Sequence, residues 1–300
     1  MLKIAFHPIY KLPLPEKHRF PMLKYELLPK QLLHEGTCTE ANFFEPTILD
    51  DKHILKVHTL AYYQDLLNLN LDAKAARKIG FPLSKLLVER EVIIIDGTIK
   101  ASEYAIKNGI AMNIAGGTHH AYSNRGEAFC LLNDQAVGAR YLQDKKLVHK
   151  ILIVDLDVHQ GNGTAEIFQN DPSVFTFSMH GKSNYPFKKE VSDLDIALET
   201  NTTDAEYLTI LKETLPKLIA SEKPDFIYYL CGVDVIATDK LGKLALTLQG
   251  CKERDRFVLQ TCKDLEIPVM CSMGGGYSPD IKTIIEAHAN TFRLAQHIFF

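Results

Sequence analysis

Apolar residues along the chain follow two alternating patterns. Short continuous runs, such as Ile151 to Val154, fit strands buried on both faces of a sheet. Longer stretches repeat at helical spacing. Thr203 to Ser221, for instance, lines up Leu208, Leu211, Leu215, Leu218 and Ile219 on one face. The runs predict strands at Leu2 to Phe6, Ala111 to Ala115, Ile151 to Val154, Val174 to Met179, Phe226 to Val233 and Pro268 to Met273. Helices are expected over Met22 to Leu33, Leu132 to Asp144, Thr203 to Ser221, Leu248 to Leu265 and Ile281 to His297. In the helix starting at Leu248, Cys251, Phe257, Val258 and Cys262 should face inward. Two short helices should occupy Asp50 to Asn68, with Thr59 as an N-cap. Phe81 to Asn108 reads as mostly helical, interrupted near Asp96 and Gly97. Pro8, Pro13, Pro15 and Pro21 exclude regular structure before the first helix.

Strands alternating with helices imply βαβ units, hence an α/β fold with a parallel sheet. With no repeat, low-complexity tract or linker, residues 1–300 read as a single domain. What the strands run into matters more than their number. After Val154 the chain places Asp155, Asp157 and His159 at alternate positions, with Gly161 and Gly163 just beyond. Alternate residues at a strand end point the same way. Three more strands end in reactive residues: His119 and His120 after Gly116-Gly117, Asp234, and Tyr277 after three glycines. A parallel sheet gathers such ends on one edge, the usual place for chemistry in open α/β folds. A solvated loop after a core strand is the plainer reading, but scattered polar residues would rarely fall at four strand ends together.

Composition narrows the function classes. Net charge is −3, so no global basic field exists to hold nucleic acid. Six cysteines (Cys38, Cys130, Cys231, Cys251, Cys262, Cys271) show no CxxC spacing. Several lie in apolar runs, as expected of reduced thiols in the cytoplasm. The apolar start is too short for a signal peptide, and no run is long enough to span a membrane.

Asp157, His159 and Asp234 offer two carboxylates and one imidazole. Three protein ligands plus an open position is the arrangement of a catalytic zinc. The oxygen-rich donor set also suits Fe(II), Co(II) or Mn(II). Two adjacent histidines cannot both ligate easily from one strand end, but both can line a pocket and move protons near neutral pH. Asp155 is the nearby candidate to fix a histidine tautomer. Tyr277, approached closely through its glycines, could stabilise a developing oxyanion. A core tyrosine packing a helix is its plainer reading.

GGTHHA at 116–121, AFCLLND at 128–134, IVDLDVHQGNGT at 153–164, GVD at 232–234 and MGGGY at 273–277 together resemble the zinc-dependent histone deacetylase family, in order and spacing over nearly the whole chain. LPLPEKHRFPMLKY at 12–25 and Gln160 look like its class IV branch and bacterial relatives. The resemblance implies the arginase–deacetylase fold, a single eight-stranded parallel sheet flanked by helices on both faces. It implies hydrolysis of an acyl-lysine amide, most simply an acetyl one, by metal-activated water. Asp157, His159 and Asp234 would be the ligands of Zn2+, with Fe2+ or Co2+ possible. His120 would be general base and then acid. His119, oriented by Asp155, would be its electrostatic partner, and Tyr277 would polarise the carbonyl.

The same resemblance makes Phe129 and Tyr185 the walls of an acyl-lysine tunnel, Leu241 its rim and Gly275 a substrate contact. Carbonyls of Asp155, Asp157, His159 and Met179, with Ser178, would hold K+ or Na+. Arg19 would lie at an internal acetate channel. Two positions depart from the family pattern. Ala128 replaces a glycine, and Asn162 pairs with His120 where class I members carry Asp. Asn is also found in classes II and IV; it can orient the ring but brings no charge. The partner is an acylated lysine of a protein or peptide, or a small acylated amine, with neither nucleic acid nor membrane involved. Same-fold alternatives are an acetylpolyamine hydrolase, which would want an acidic rim, and a longer-chain deacylase. A non-catalytic acyl-lysine reader would be expected to have lost a ligand or Tyr277, and neither is lost.

Overall fold

The computed structural model describes residues 1–300. Eight strands form one sheet: β1 (Lys3–Ala5), β2 (Phe43–Phe44), β3 (Ile110–Asn113), β4 (Ile151–Asp155), β5 (Val174–Gly181), β6 (Leu194–Leu198), β7 (Phe226–Leu230) and β8 (Val269–Ser272). Their order is β2-β1-β3-β8-β7-β4-β5-β6, and every pairing is parallel. All residues of β3, β4, β7 and β8 are buried, which is why these strands appear in the sequence as unbroken apolar runs. Edge strand β6 alternates instead, with Asp195 and Ala197 outward. The strands leading to the four reactive segments, β3, β8, β7 and β4, are adjacent in the middle of the sheet.

Ten helices surround it: α1 (Lys24–His34), α2 (Asp51–Ile54), α3 (Leu60–Leu67), α4 (Ala73–Ile79), α5 (Lys85–Asn108), α6 (Asp134–Asp144), α7 (Asn162–Phe168), α8 (Asp204–Glu222), α9 (Leu248–Asp264) and α10 (Ile281–Phe299). Thr59 caps α3 through its hydroxyl, as its sequence position predicts. Helix α5 packs on β1, β3 and β8 beside α6; α9 packs between α8 and α10, and α1 lies against α10. In α9, Cys251, Val258 and Cys262 are buried and Phe257 half-buried. No helix is long and apolar enough to cross a membrane.

Helix α5 corrects one expectation, for it runs unbroken through Asp96 and Gly97. Gly97 is there for proximity: a Cβ would stand 2.5 Å from the Tyr10 hydroxyl and 2.9 Å from Asn113 Nδ2. The Asp96 carboxylate accepts the Thr47 N–H at 2.6 Å and pairs with Lys100 one turn on at 2.7 Å. Packing and that ion pair outweigh the roughly 1 kcal/mol that glycine costs within a helix.

Candidate metal centre and active site

Beyond β4 the chain carries Asp157 and His159 past the C-terminal edge, where Asp234 arrives from β7. The ligand atoms of these three buried residues lie within 4.8 Å of one another. His159 Nδ1 is 3.0 Å from Asp157 Oδ1 and 3.2 Å from Asp234 Oδ2. Backbone donors fix both carboxylates. Asp157 Oδ2 accepts from Gly275 N at 2.8 Å, and Asp234 Oδ1 from Val158 N at 3.0 Å. Gly275 permits this approach, since a Cβ would stand within 2.8 Å of Asp157 Oδ2. Burial, and next the neighbouring Asp157, push Asp234 up to about 7. Two buried carboxylates this close need a cation or a shared proton. With its O,O,N donors already oriented, the trio fits a divalent ion.

The tandem histidines sit above it, ring centroids 4.1 Å apart. His119 Nδ1 donates to Asp155 Oδ2 at 2.6 Å, and His120 Nδ1 to Asn162 Oδ1 at the same distance. His120 therefore keeps Nε2 free, whereas His119 Nε2 lies 3.9 Å from Asp157 Oδ1. Burial opposes charge on both. For His119 the Asp155 carboxylate outweighs burial and holds the pKa above its ordinary value. His120 has no such partner, so burial, then the neighbouring His119 and His159, drive its pKa well down. Burial raises the Tyr277 phenol well above its usual range, so it remains a proton donor. Its ring lies 6.5 Å from that of His159 and 6.1 Å from that of Phe129.

An outer cleft of about 790 Å³ leads to these groups and is lined by Phe129, Tyr185, Leu241, His120, His159 and Tyr277. A small inner cavity of about 40 Å³ adjoins it and shares His120, Phe129, His159 and Tyr277. Tyr185 stands edge-on to His120, centroids 5.0 Å apart, and its hydroxyl donates to Glu127. Ala128 and Phe129 both have positive φ, +45° and +69°. Their N–H groups donate to Lys78 and Ile79 carbonyls at the end of α4, which pins the Phe129 ring. Gly275 lines the inner cavity, but its N–H already serves Asp157.

Arg19 is a correction. It is exposed at the outer cleft, its guanidinium 4.8 Å from the Phe129 ring centroid. The inner cavity is lined instead by Arg90, which pairs with Glu91 and donates to the Tyr10 carbonyl at 2.8 Å. A buried guanidinium needs such a carboxylate, and Arg19 has none beside it. Ser178 lies opposite Asp155 in the β4–β5 register, and Met179 follows it.

Several supporting residues escape sequence reasoning. Asp134 accepts from Thr118 N at 2.9 Å and from Thr98 at 2.7 Å, holding the segment before His119. The Asp239 carboxylate accepts three N–H groups, from Tyr277 at 2.6 Å, Leu241 at 2.8 Å and Gly242 at 2.9 Å. It ties the rim to the phenol. Arg254 of α9, fully buried, donates to the carbonyls of Leu156 at 3.1 Å and Gly232 at 2.6 Å, beside the segments that carry Asp157 and Asp234. Only Asp134, inside the AFCLLND motif, had a local signal.

Comparison with known proteins identifies the family. The family model described as histone deacetylase domain matches residues 18–292. The chain is 44% identical to an uncharacterized protein of Picosynechococcus over 99% of both chains. It is 29% identical to histone deacetylase 2 of Arabidopsis thaliana, covering 94% of this chain and 74% of that one. Identity to the acetoin utilization protein AcuC of Staphylococcus aureus is 28%, over 92% of this chain and 74% of that protein. The crystal structure of the HDA15 HD domain superposes with a TM-score of 0.83 at 18% identity, over 99% of this chain and 88% of that one. Sequence and fold together place this chain in the histone deacetylase family of amide hydrolases.

Proposed function

We propose that this chain hydrolyses the side-chain amide of an acylated lysine, most simply acetyl-lysine, releasing the carboxylate and the free amine. One observation carries the reading. A histidine with a free Nε2, a protonated phenol, and Asp157 and His159 of the buried Asp-His-Asp trio all border one narrow space at the foot of an aromatic-walled cleft. Asp157, His159 and Asp234 would hold the ion, Zn2+ as in the family or Fe2+ or Co2+ on the donor set. When bound there, it supplies Lewis-acid polarisation of the amide carbonyl and acidifies a ligated water. Carbonyls of Asp155, Asp157, His159 and Met179, with Ser178, would take K+ or Na+.

The chain's own residues supply the remaining steps. His120 donates Nδ1–H to Asn162, which leaves the Nε2 lone pair to take a proton from the attacking water. The same nitrogen then returns that proton to the departing lysine amine. His119, held towards its charged form by Asp155, offsets negative charge as it develops nearby. Tyr277 donates to the carbonyl oxygen, and that hydrogen bond strengthens as the oxygen gains charge. Phe129 and Tyr185 flank the lysine methylenes and exclude water. The test is turnover of acyl-lysine peptides and acetylpolyamines by metal-reconstituted protein. Hydrolysis of the peptides is expected. Turnover of polyamines alone would replace the reading.

A further inference from the structure

The outer cleft carries a charge pattern opposite to that of the whole molecule. Five cationic side chains line it against two carboxylates, Glu127 and Glu190, although the chain's net charge is −3. Both carboxylates are already engaged. Glu127 accepts from Tyr185, from Arg125 at 3.0 Å and from Lys78 at 3.2 Å. Glu190 accepts from the Tyr122 hydroxyl at 3.2 Å. Glu190 keeps its charge, yet the five cations still exceed the two carboxylates by three, and Arg19, Lys188 and Lys243, all exposed, are the cations with no carboxylate partner. Arg19 rests on the Phe129 ring with no carboxylate beside it. Lys243 Nζ reaches only the Ser183 carbonyl, at 3.0 Å.

These cations come from three separate segments: the stretch before α1, the loop after β5 and the loop before α9. Lys243 reaches the loop that carries Lys188, through the Ser183 carbonyl, and Arg19 rests on Phe129. Phe187, 89% exposed, adds an apolar surface beside Lys188. A polyamine entering here would meet like charge. A segment carrying carboxylates beside its acylated lysine would meet these cations, and a guanidinium can take a carboxylate through two parallel hydrogen bonds.

We propose that the rim formed by Arg19, Lys188 and Lys243 makes this site selective for an acyl-lysine flanked by acidic residues in a peptide or protein segment. The proposal builds on the acyl-lysine reading above and names its substrate class. Exposed ion pairs are each worth about 1.4- to 5-fold in affinity, so carboxylates on both sides should give on the order of ten-fold together. The attraction should also fade with salt, because exposed charges are screened within about 10 Å at 0.1 M.

The experiment compares three peptides centred on acetyl-lysine with Glu, Ala or Lys on both sides. Binding to the metal-reconstituted protein is read by fluorescence anisotropy at about 0.02 M and about 0.3 M salt, and acetate release is read in parallel. The expected order of affinity is Glu, then Ala, then Lys, with the gap narrowing at high salt. The variant carrying Arg19→Glu and Lys188→Glu should reverse that order. Equal affinities, a preference for Lys flanks or an unchanged order in the variant overturns the proposal. Flank preference without acetate release from any peptide would keep the rim assignment and refute the hydrolase reading. Release without flank preference would do the opposite.

Discussion

Arg254 supports the backbone beside Asp157 and Asp234 from a distance. It is fully buried on α9, pairs with Asp255 at 2.8 Å and donates to the carbonyls of Leu156 and Gly232. Arg254→Met keeps the length and apolar stem while removing the charge and all those donors. Asp255 would then be a buried carboxylate supported only by the hydroxyls of Tyr229 and Thr291. Removing one partner of a buried ion pair costs about 3–5 kcal/mol. The two surviving hydroxyl donors put the expected loss near the lower end, about 3 kcal/mol. The freed carbonyls adjoin Asp157 and lie two residues before Asp234, so metal affinity should also fall, by about 10- to 100-fold as for other outer-shell partners. Urea unfolding gives the first quantity and metal titration the second. Arg254→Met combined with Asp255→Leu removes both charges and should be less damaging than the single change. A loss below about 1 kcal/mol in the single variant, or a double variant worse than the single, would refute the reasoning.

Other outcomes follow from single contacts. His58 is buried, donating Nδ1–H to the Tyr122 carbonyl at 3.0 Å and accepting the Asn133 N–H at 2.9 Å; burial pushes it down to about 4. The unfolded state binds this proton from about pH 6.5 downward while the folded state does not. Stability from this residue is thus present above pH 6.5 and drains by about 1.4 kcal/mol per pH unit as pH falls towards 4. His58→Gln, which can keep both hydrogen bonds, should flatten that slope in urea midpoints measured across the range; an unchanged slope counts against the assignment. Asp239→Ala strands three N–H groups and should cost about 2 kcal/mol and lower kcat by misplacing Tyr277. Asp239→Asn, which retains an acceptor oxygen, should do so less, and equal effects would argue against a positioning role. Tyr277→Phe should lower kcat about 10²–10³-fold, the typical value of one oxyanion donor, with peptide affinity within a few-fold of the parent; retention of a tenth or more of kcat would remove the phenol from the mechanism.

The sheet was legible wherever burial on both faces left an unbroken apolar run, as in β3, β4, β7 and β8. Those same strands point at the centre, so the reactive residues beyond them could be read with them. Strand β2 has only two residues and β6 alternates as an edge, so neither gives a run to detect. Helix α4, AKAARKI, has one buried residue and no apolar face, yet it pins Phe129. Helix α7 begins among the glycines that look like loop. Propensity misjudged Gly97, because its value lies in contacts with Tyr10 and Asn113 that no local window contains. Arg254, Asp239 and His58 were invisible for the same reason, since their partners are distant in sequence or are backbone groups that carry no residue signature. Arg19 shows the reverse risk. Its neighbourhood matched a family motif, but the carboxylate that would let a guanidinium be buried sits beside Arg90 instead.

The most direct test of the central claim is acetate release from an acetyl-lysine peptide as divalent metal is titrated into metal-free protein. The account predicts that activity rises linearly and breaks at one equivalent per chain, because Asp157, His159 and Asp234 form the one buried cluster able to ligate an ion. It also predicts that Asp234→Ala abolishes the response while the protein stays folded. Amide hydrolysis that persists without metal, that needs two equivalents, or that survives Asp234→Ala would contradict it.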